Sequence, residues 1–410
     1  MLLVLVLLAA FGLRMGAAVV WQSRLDGQFG FPDSESYWSL GRSIAQGQPY
    51  QFGPHDFKVF RSPGYPLLLA PIFMLCGEEP SVMLARAQAA LLGTLTVAGL
   101  WWLGRMLFGQ RCGLLAAAIG AIYPGAISAG ILVLSEAPFC PLMVIQLALW
   151  TAASKAQSGR RTAVFAICGG LVAAAATLVR PSWLLFTPMA VVLAVLLGGR
   201  ETTRKRQLCI GLGMLAALAV GMCPWWIRNA RVTGHFVPTT LQVGASLYDG
   251  LNPEATGGSD MRFVEPITAE ELAEFDGPAA GFEYHLDRRF RERSVAWAGA
   301  HGSRALALMG VKFFRMWNVW PNEPSLSSWL LRSAVFFTYV PIVIFGIIAA
   351  LRTVGRGWPY VLCWLPAAYF TLLHVVFVSS IRYRQPAMLG LIVLAAGLVC
   401  MRGRASEPRS

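Results

Sequence analysis

Charged side chains are scarce in this chain. They make up 13% of its 410 residues, against about 25% in an ordinary soluble domain. With 56% hydrophobic residues and a mean hydropathy of +0.56, the shortage excludes a water-solvated globule and points to lipid as the main solvent. Acids are the scarcer sign, 21 against 34 Lys and Arg, for a formal net charge of +13. No basic stretch is interleaved with exposed aromatics, so no nucleic acid is expected as partner; a basic excess is what a membrane protein collects in its cytoplasmic loops. Eight cysteines occur without CxxC or Cys/His metal spacing. Cys112, Cys140, Cys168, Cys209, Cys223, Cys363 and Cys400 fall inside apolar segments and read as packing residues; Cys76 alone is placed towards water, which excludes a disulfide framework. No repeat, coiled coil or low-complexity segment stands out. The first apolar run has no basic residue before Arg14, unlike a cleaved signal peptide, so it reads as a retained span.

Apolar runs are what the chain has in quantity. Residues 1–21, 82–103, 113–129, 131–152, 162–179, 182–197, 208–226, 328–350, 359–378 and 386–401 each approach the ~20 residues that cross a bilayer. Lipid offers no partner for unpaired backbone groups, so the spans must be helices. The expected fold class is an all-α polytopic membrane protein of about ten transmembrane helices, one domain over 1–401 with a cytoplasmic tail at 402–410. Alternate short connections carry Arg105 and Arg111; Lys155, Arg160 and Arg161; Arg200, Arg204, Lys205 and Arg206; and Arg352 and Arg356. The tail adds Arg402, Arg404 and Arg409, with only Glu201 and Glu407 opposing. That face is cytoplasmic by the positive-inside rule, which puts both termini inside. The other face receives two long connections, 22–81 and 228–327. In the second, 268–272, 284–297 and 304–317 look like amphipathic helices, the last lying in the interface with Trp317 and Trp320 as anchors.

The ionisable residues near span ends on that second face form a pattern. They are Asp33, Glu35, Arg61, Glu136, Arg180, Arg228, Arg382 and Arg384. Each has a plain structural reading. Asp33 and Glu35 suit a solvated loop or a helix N-cap opening 36–45, and the arginines suit interface snorkelling. Glu136 resists that treatment, because a carboxylate inside an apolar stretch needs a partner or a water-filled cavity. Arginine's planar fork of donors matches phosphate or pyrophosphate.

Such a set suits sugar transfer from a phosphate-linked carrier. A carboxylate takes the acceptor's proton, cations neutralise the departing phosphate, and aromatics pack on the sugar and tails. Asp33 is the plausible base, and Arg61 and the later arginines fit the phosphate. Tyr37, Tyr65, Trp183, Trp225 and Trp226 supply aromatics, with Asn229 beside them. A single displacement inverts the anomeric carbon. Two acids and a phosphate also suit a divalent cation, although no ligand set is specified.

In order along the chain come Asp33-Ser34-Glu35-x-Tyr37, Arg61-Ser62-Pro63-Gly64-Tyr65-Pro66, Tyr123-Pro124 and Leu134-Ser135-Glu136. Leu178-Val179-Arg180-Pro181, Pro224-Trp225-Trp226-x-Arg228-Asn229 and Arg382-Tyr383-Arg384-x-Pro386 complete the series. The ordered set resembles the GT-C glycosyltransferases, most of all the bacterial branch akin to protein O-mannosyltransferases, the lipid A aminoarabinose transferase and rhizobial core galacturonosyltransferases. The resemblance implies a polyprenyl-phosphate sugar donor and an active site facing the periplasm or exterior of the inner (plasma) membrane. It also implies an envelope glycan, lipopolysaccharide, lipid or protein as hydroxyl acceptor. It places Asp33 at the catalytic centre, has Arg61 bind the carrier phosphate, and has Glu136 complete the site. Ser34 separates two acids that are adjacent in many members, which leaves Asp33 and Glu35 both open as base.

Two other readings compete. A secondary transporter hides polar groups at the bilayer midplane within repeats, whereas here they lie near one face and no inverted repeat is visible. A non-catalytic binder of lipid-linked sugar would keep the arginines and could lose an acid; all three acids are present.

Overall fold

The computed structural model describes residues 1–197, 203–320 and 328–405. Among them there is no strand, only an isolated bridge between Phe52 and Phe57. The helices are α1 (Leu2–Arg24), α2 (Pro32–Ala45), α3 (Gly64–Cys76), α4 (Val82–Phe108), α5 (Gln110–Ile122), α6 (Pro124–Ala129), α7 (Glu136–Lys155), α8 (Gly159–Val179), α9 (Phe186–Leu197) and α10 (Arg204–Thr233). After them come α11 (Val243–Gly250), α12 (Val264–Glu274), α13 (Ala279–Ala300), α14 (Gly302–Trp317), α15 (Trp329–Thr353), α16 (Val361–Val376) and α17 (Gln385–Ala405). Among the described residues six helices are long and apolar enough to cross a membrane, namely α1, α4, α7, α8, α10 and Arg332–Arg356. Five apolar helices are shorter: α3, α5, Pro181–Leu197, α16 and Gln385–Met401. The protein is a multi-pass membrane protein.

The expected spans fall on these helices, with differences that have physical causes. Span 113–129 is two helices, because Pro124 has no N–H to continue α5. The Gly120 carbonyl that Pro124 would have bonded is taken by Arg14, whose guanidinium also reaches the carbonyls of Ala10, Ala121 and Ala126. Span 131–152 begins later, at Glu136, after a turn. Apolar α3 lies in a stretch read as loop, interrupted in the sequence by Pro66 and Pro71. The three amphipathic segments of the second long connection are helical, as α12, α13 and α14. The four residues Arg200, Glu201, Glu407 and Arg409, and 321–327 of the second long connection, lie outside the described residues.

Helix α7 is the central post, buried along nearly its whole length. At 1.5 Å per residue its ends stand about 30 Å apart. At its C-terminal end Lys155 donates to the Met106 carbonyl and lies over Tyr360, whose hydroxyl donates to Leu107; Arg356 lies over the same ring. Arg206 donates to Ala153 and Ala156. The basic loops therefore gather at one end of the bundle, and Glu136 marks the other. No disulfide forms among the described residues; Cys112, Cys140 and Cys363 are buried packing residues.

Candidate functional site

The outer end of α7 receives side chains from four distant segments, each placed by local chemistry. Asp33 occupies the first turn of α2, which Pro32 opens with its preset φ. The helix begins earlier than expected, and Phe31 is its N-cap, so neither acid is the cap. Residues two apart on a helix point to different sides. Asp33 faces inward, while Glu35 is exposed and forms no ion pair among the described residues.

Arg61 is set by the Ser-Pro-Gly that follows it. Ser62 Oγ donates to the Leu178 carbonyl. Gly64 lies so close to Leu178 and Val179 that a Cβ would meet their backbone at 2.6 Å. The motif around Arg61 is thus clasped to the end of α8, one residue short of Arg180. There Pro181 stops the helix, and Arg180 turns its side chain towards α7. Arg382 arrives from the turn between α16 and α17.

These groups form one chain of ion pairs. Arg61 Nη2 is 2.9 Å from Asp33 Oδ1, and Arg382 Nη2 is 3.1 Å from Asp33 Oδ2. Arg382 Nε is 2.9 Å from Glu136 Oε1, as is Arg180 Nη1. Arg382 therefore bridges both carboxylates through two different nitrogens, and three cations face two anions. Burial works against the charge of Asp33, but the guanidiniums of Arg61 and Arg382 outweigh it and hold its carboxyl below the usual range. Glu136 is 2% exposed and its Oε2 has no protein partner.

Aromatics line the chain. Arg61 lies over Tyr37, Phe52 and Phe60 at 5.5, 5.3 and 5.7 Å. Tyr37 packs on Tyr65 at 5.3 Å. Arg180 and Arg382 lie 5.4 and 5.2 Å from the Tyr383 ring.

Other expected site residues sit elsewhere. Arg384 donates to the carbonyls of Met316 and Asn318 and stacks on Tyr339 at 3.9 Å; it secures the end of α14. Arg228 stacks on Tyr50 and Trp225 and donates to the Tyr50 carbonyl, touching neither carboxylate of the chain. Trp225 Nε1 and Asn229 Nδ2 spend their donors on the backbone of 237–239, and Trp226 donates to Pro238. Trp183 is a core residue, stacked on Phe186 and bonded to Gln146. The segment they brace is not idle, because Leu241 N–H donates to the Val59 carbonyl beside Arg61. The three arginines bond three of the four carboxylate oxygens, which leaves a poor donor set for a divalent cation. Among the described residues no group of three His, Cys, Asp or Glu could hold one.

Several residues at the site carry no motif. Glu283 on α13 accepts from the N–H groups of Lys58 and Val59 at 2.8 and 2.9 Å. Asp287, one turn on, accepts from Gly244 at 2.6 Å, and Gln242 Oε1 is 3.4 Å from Arg61 Nη1. The two acids clamp the loops on either side of Arg61. In the sequence they look like the polar face of an amphipathic helix. Tyr383 was within reach, since it sits between Arg382 and Arg384.

A family model described as dolichyl-phosphate-mannose-protein mannosyltransferase matches residues 61–227, which include Arg61, Glu136 and Arg180. No curated protein matches the chain. The fold is similar to that of the archaeal oligosaccharyltransferase AglB from Archaeoglobus fulgidus in complex with an inhibitory peptide and a dolichol-phosphate. That match has 15% identity and a TM-score of 0.59 over 100% of this chain and 52% of that one. The apo form of the Archaeoglobus fulgidus oligosaccharyltransferase matches at 16% identity and a TM-score of 0.62, over 98% and 51%. ArnT from Cupriavidus metallidurans bound to undecaprenyl phosphate matches at 16% identity and a TM-score of 0.46, over 96% and 78%. The chain spans about half the length of the oligosaccharyltransferase structures it matches. It shares the GT-C fold.

Proposed function

We propose that this protein is a glycosyltransferase that moves a sugar from a polyprenyl-phosphate carrier to a hydroxyl acceptor, on the periplasmic or exterior side of the inner (plasma) membrane. One observation carries the reading: Arg61, Arg180 and Arg382, from three distant segments, converge with Asp33 and Glu136 at the end of the bundle opposite the basic loops. Arginines gathered in such number and largely withdrawn from water suit a ligand that brings its own negative charge.

The carrier phosphate enters as a competitor for guanidiniums that the carboxylates now hold. As it takes hydrogen bonds from Arg61 and Arg382, Asp33 loses the cations that depress its basicity and becomes a better proton acceptor. The acceptor oxygen then attacks the anomeric carbon with inversion. Its proton passes to Asp33, and the anomeric carbon–oxygen bond breaks with its electron pair on the phosphate. The arginines stabilise the polyprenyl phosphate as it leaves. Glu136 keeps Arg180 and Arg382 aimed at it. Glu35, exposed on the same turn, belongs to the aqueous approach. The sugar and the identity of the acceptor, whether glycan, lipid or protein, are set by pocket shape.

The test is transfer from radiolabelled polyprenyl-phosphate sugars by the purified protein in lipid, comparing wild type with Asp33→Asn and Arg61→Ala. Transfer that needs both residues supports the reading. Binding of polyprenyl phosphate without transfer of any sugar would instead favour a non-catalytic binder.

A further inference from the structure

Around the ion-pair chain lie buried polar atoms that no protein group bonds. They include Ser34 Oγ, Tyr65 OH, Glu136 Oε2 and His374 Nε2, on side chains between 0 and 7% exposed. Buried polar atoms are normally paired, so a cluster of unpaired ones marks where something polar belongs. The hydroxyls and the imidazole among them differ in what they select. A hydroxyl rotates and either donates or accepts. An imidazole whose other nitrogen is committed does not have that freedom.

His374 is committed. Its Nδ1 is 2.8 Å from the Val378 carbonyl oxygen, which can only accept, so the proton is on Nδ1 and Nε2 of the neutral ring is an acceptor. The ring is held flat on Tyr383, centroids 4.4 Å apart and planes 5° from parallel. Tyr383 is the ring over which Arg180 and Arg382 lie at 5.4 and 5.2 Å. A fixed acceptor therefore stands one aromatic ring away from two guanidiniums. A phosphate has only acceptor oxygens to offer here and would be drawn to the arginines. Nε2 wants a group that brings a hydrogen. A glycosyl phosphate presents both within one molecule: anionic oxygens at the anomeric position and O–H groups around the ring.

We propose that His374 Nε2 accepts a hydrogen bond from a hydroxyl of the lipid-linked sugar, and so helps decide which sugar the site takes. This rests on the donor reading above and adds to it a residue that selects the sugar rather than the phosphate. A merely structural role would use only the Nδ1–Val378 bond and the stack on Tyr383.

The variants separate these roles. His374→Asn can keep a donor for the Val378 carbonyl while removing Nε2; His374→Phe keeps the stack and removes both nitrogens. The probes are citronellyl phosphate and citronellyl-phosphoryl mannose, glucose and galactose, with the monodeoxy forms of whichever hexose binds best. Affinity is measured on the full chain in lipid nanodiscs, and transfer is scored separately. In wild type one deoxy position should cost about tenfold to a hundredfold in affinity, the range for a buried polar group left unpaired. His374→Asn should weaken the parent sugar by a comparable factor, show no further loss with that deoxy form, and leave citronellyl phosphate binding within about twofold. The proposal is overturned if His374→Asn binds the parent sugar as wild type does. It is equally overturned if each deoxy form costs both proteins the same factor, or if citronellyl phosphate binds and no hexose adds affinity. Failure of citronellyl phosphate itself to bind would sink the donor reading, and His374 with it. Binding without transfer would count against the enzyme alone.

Discussion

Two sets of arginines are wholly or largely withdrawn from water in this bundle, and they differ in what they hold. Arg14 and Arg384, each at most 1% exposed, give their hydrogen bonds to backbone carbonyls. Arg86 spreads its own over Gln22 and the carbonyls of Gln28, Phe29 and Ile131. Arg61, Arg180 and Arg382 are bound instead to carboxylates. A carbonyl is part of the fold and has nowhere to go. A carboxylate is an anion that another anion can replace at the guanidinium. The first set therefore fastens the chain to itself, and the second is available for exchange with a ligand.

The comparison would break most visibly at Arg382. Arg382→Ala removes the cation that Asp33 and Glu136 share and leaves each with one arginine, and transfer should fall by about a thousandfold or more, within the range for lost charge stabilisation and base positioning. Arg382→Lys should rescue little, because one ammonium cannot reproduce the Nε and Nη2 contacts to two carboxylates. Rates from a labelled donor, with thermal unfolding in detergent as the control for folding, decide it. Wild-type rates in Arg382→Lys would show that the bridge is incidental.

Arg14→Met should do the reverse. It abandons the carbonyls of Gly120, Ala121 and Ala126 beside the Pro124 break, at about 1 kcal/mol for each bond and more where a carbonyl stays unpaired. Folded yield and melting temperature should drop, while phosphate affinity of the folded fraction stays unchanged. Arg384→Lys is a milder form of the same test. It keeps the charge and loses the guanidinium that lies over Tyr339 and bonds Met316 and Asn318, for about 1 kcal/mol of stability or more. A loss of phosphate affinity without loss of stability would return Arg384 to the ligand site.

Why the sequence separated these two sets only in part follows from the same distinction. Most of the helices were legible because lipid demands long apolar runs, although α3 was read as loop and Pro124 splits one expected span. The end of the bundle where the charges meet was legible because arginines and lysines alternate by loop. Asp33, Arg61, Glu136, Arg180 and Arg382 were legible as charges that a bilayer would otherwise exclude. Arg384 looked equivalent to Arg382, two residues away, yet the turn into α17 sends them to different partners. No spacing encodes whether a guanidinium meets a carbonyl or a carboxylate. Glu283 and Asp287 were hidden for the opposite reason: charges on an amphipathic helix look solvated until Lys58, Val59 and Gly244 are seen against them. His374 lay in an apolar segment, where a single imidazole is indistinguishable from a packed core residue.

The finest test of exchange is the pH dependence of Asp33. In the free protein its carboxyl is held below the usual range, because Arg61 and Arg382 outweigh the burial that alone would raise it. A group depressed in the folded state adds stability above its unfolded value and loses it as pH falls through the folded one. The ion pairs of Asp33 should thus persist through mild acid and fail only below the ordinary carboxylate range. The profile of kcat/KM reports the free enzyme, so its acid limb should lie below that range. The profile of kcat reports the donor-bound state. If the carrier phosphate has taken the guanidiniums, Asp33 there is freed of its cations and still half-buried, and the acid limb of kcat should move to higher pH. Asp33→Glu should keep that separation at reduced rate. Coincident limbs would mean that the arginines never leave the carboxylate, and the two sets of arginine would then differ in partner but not in use.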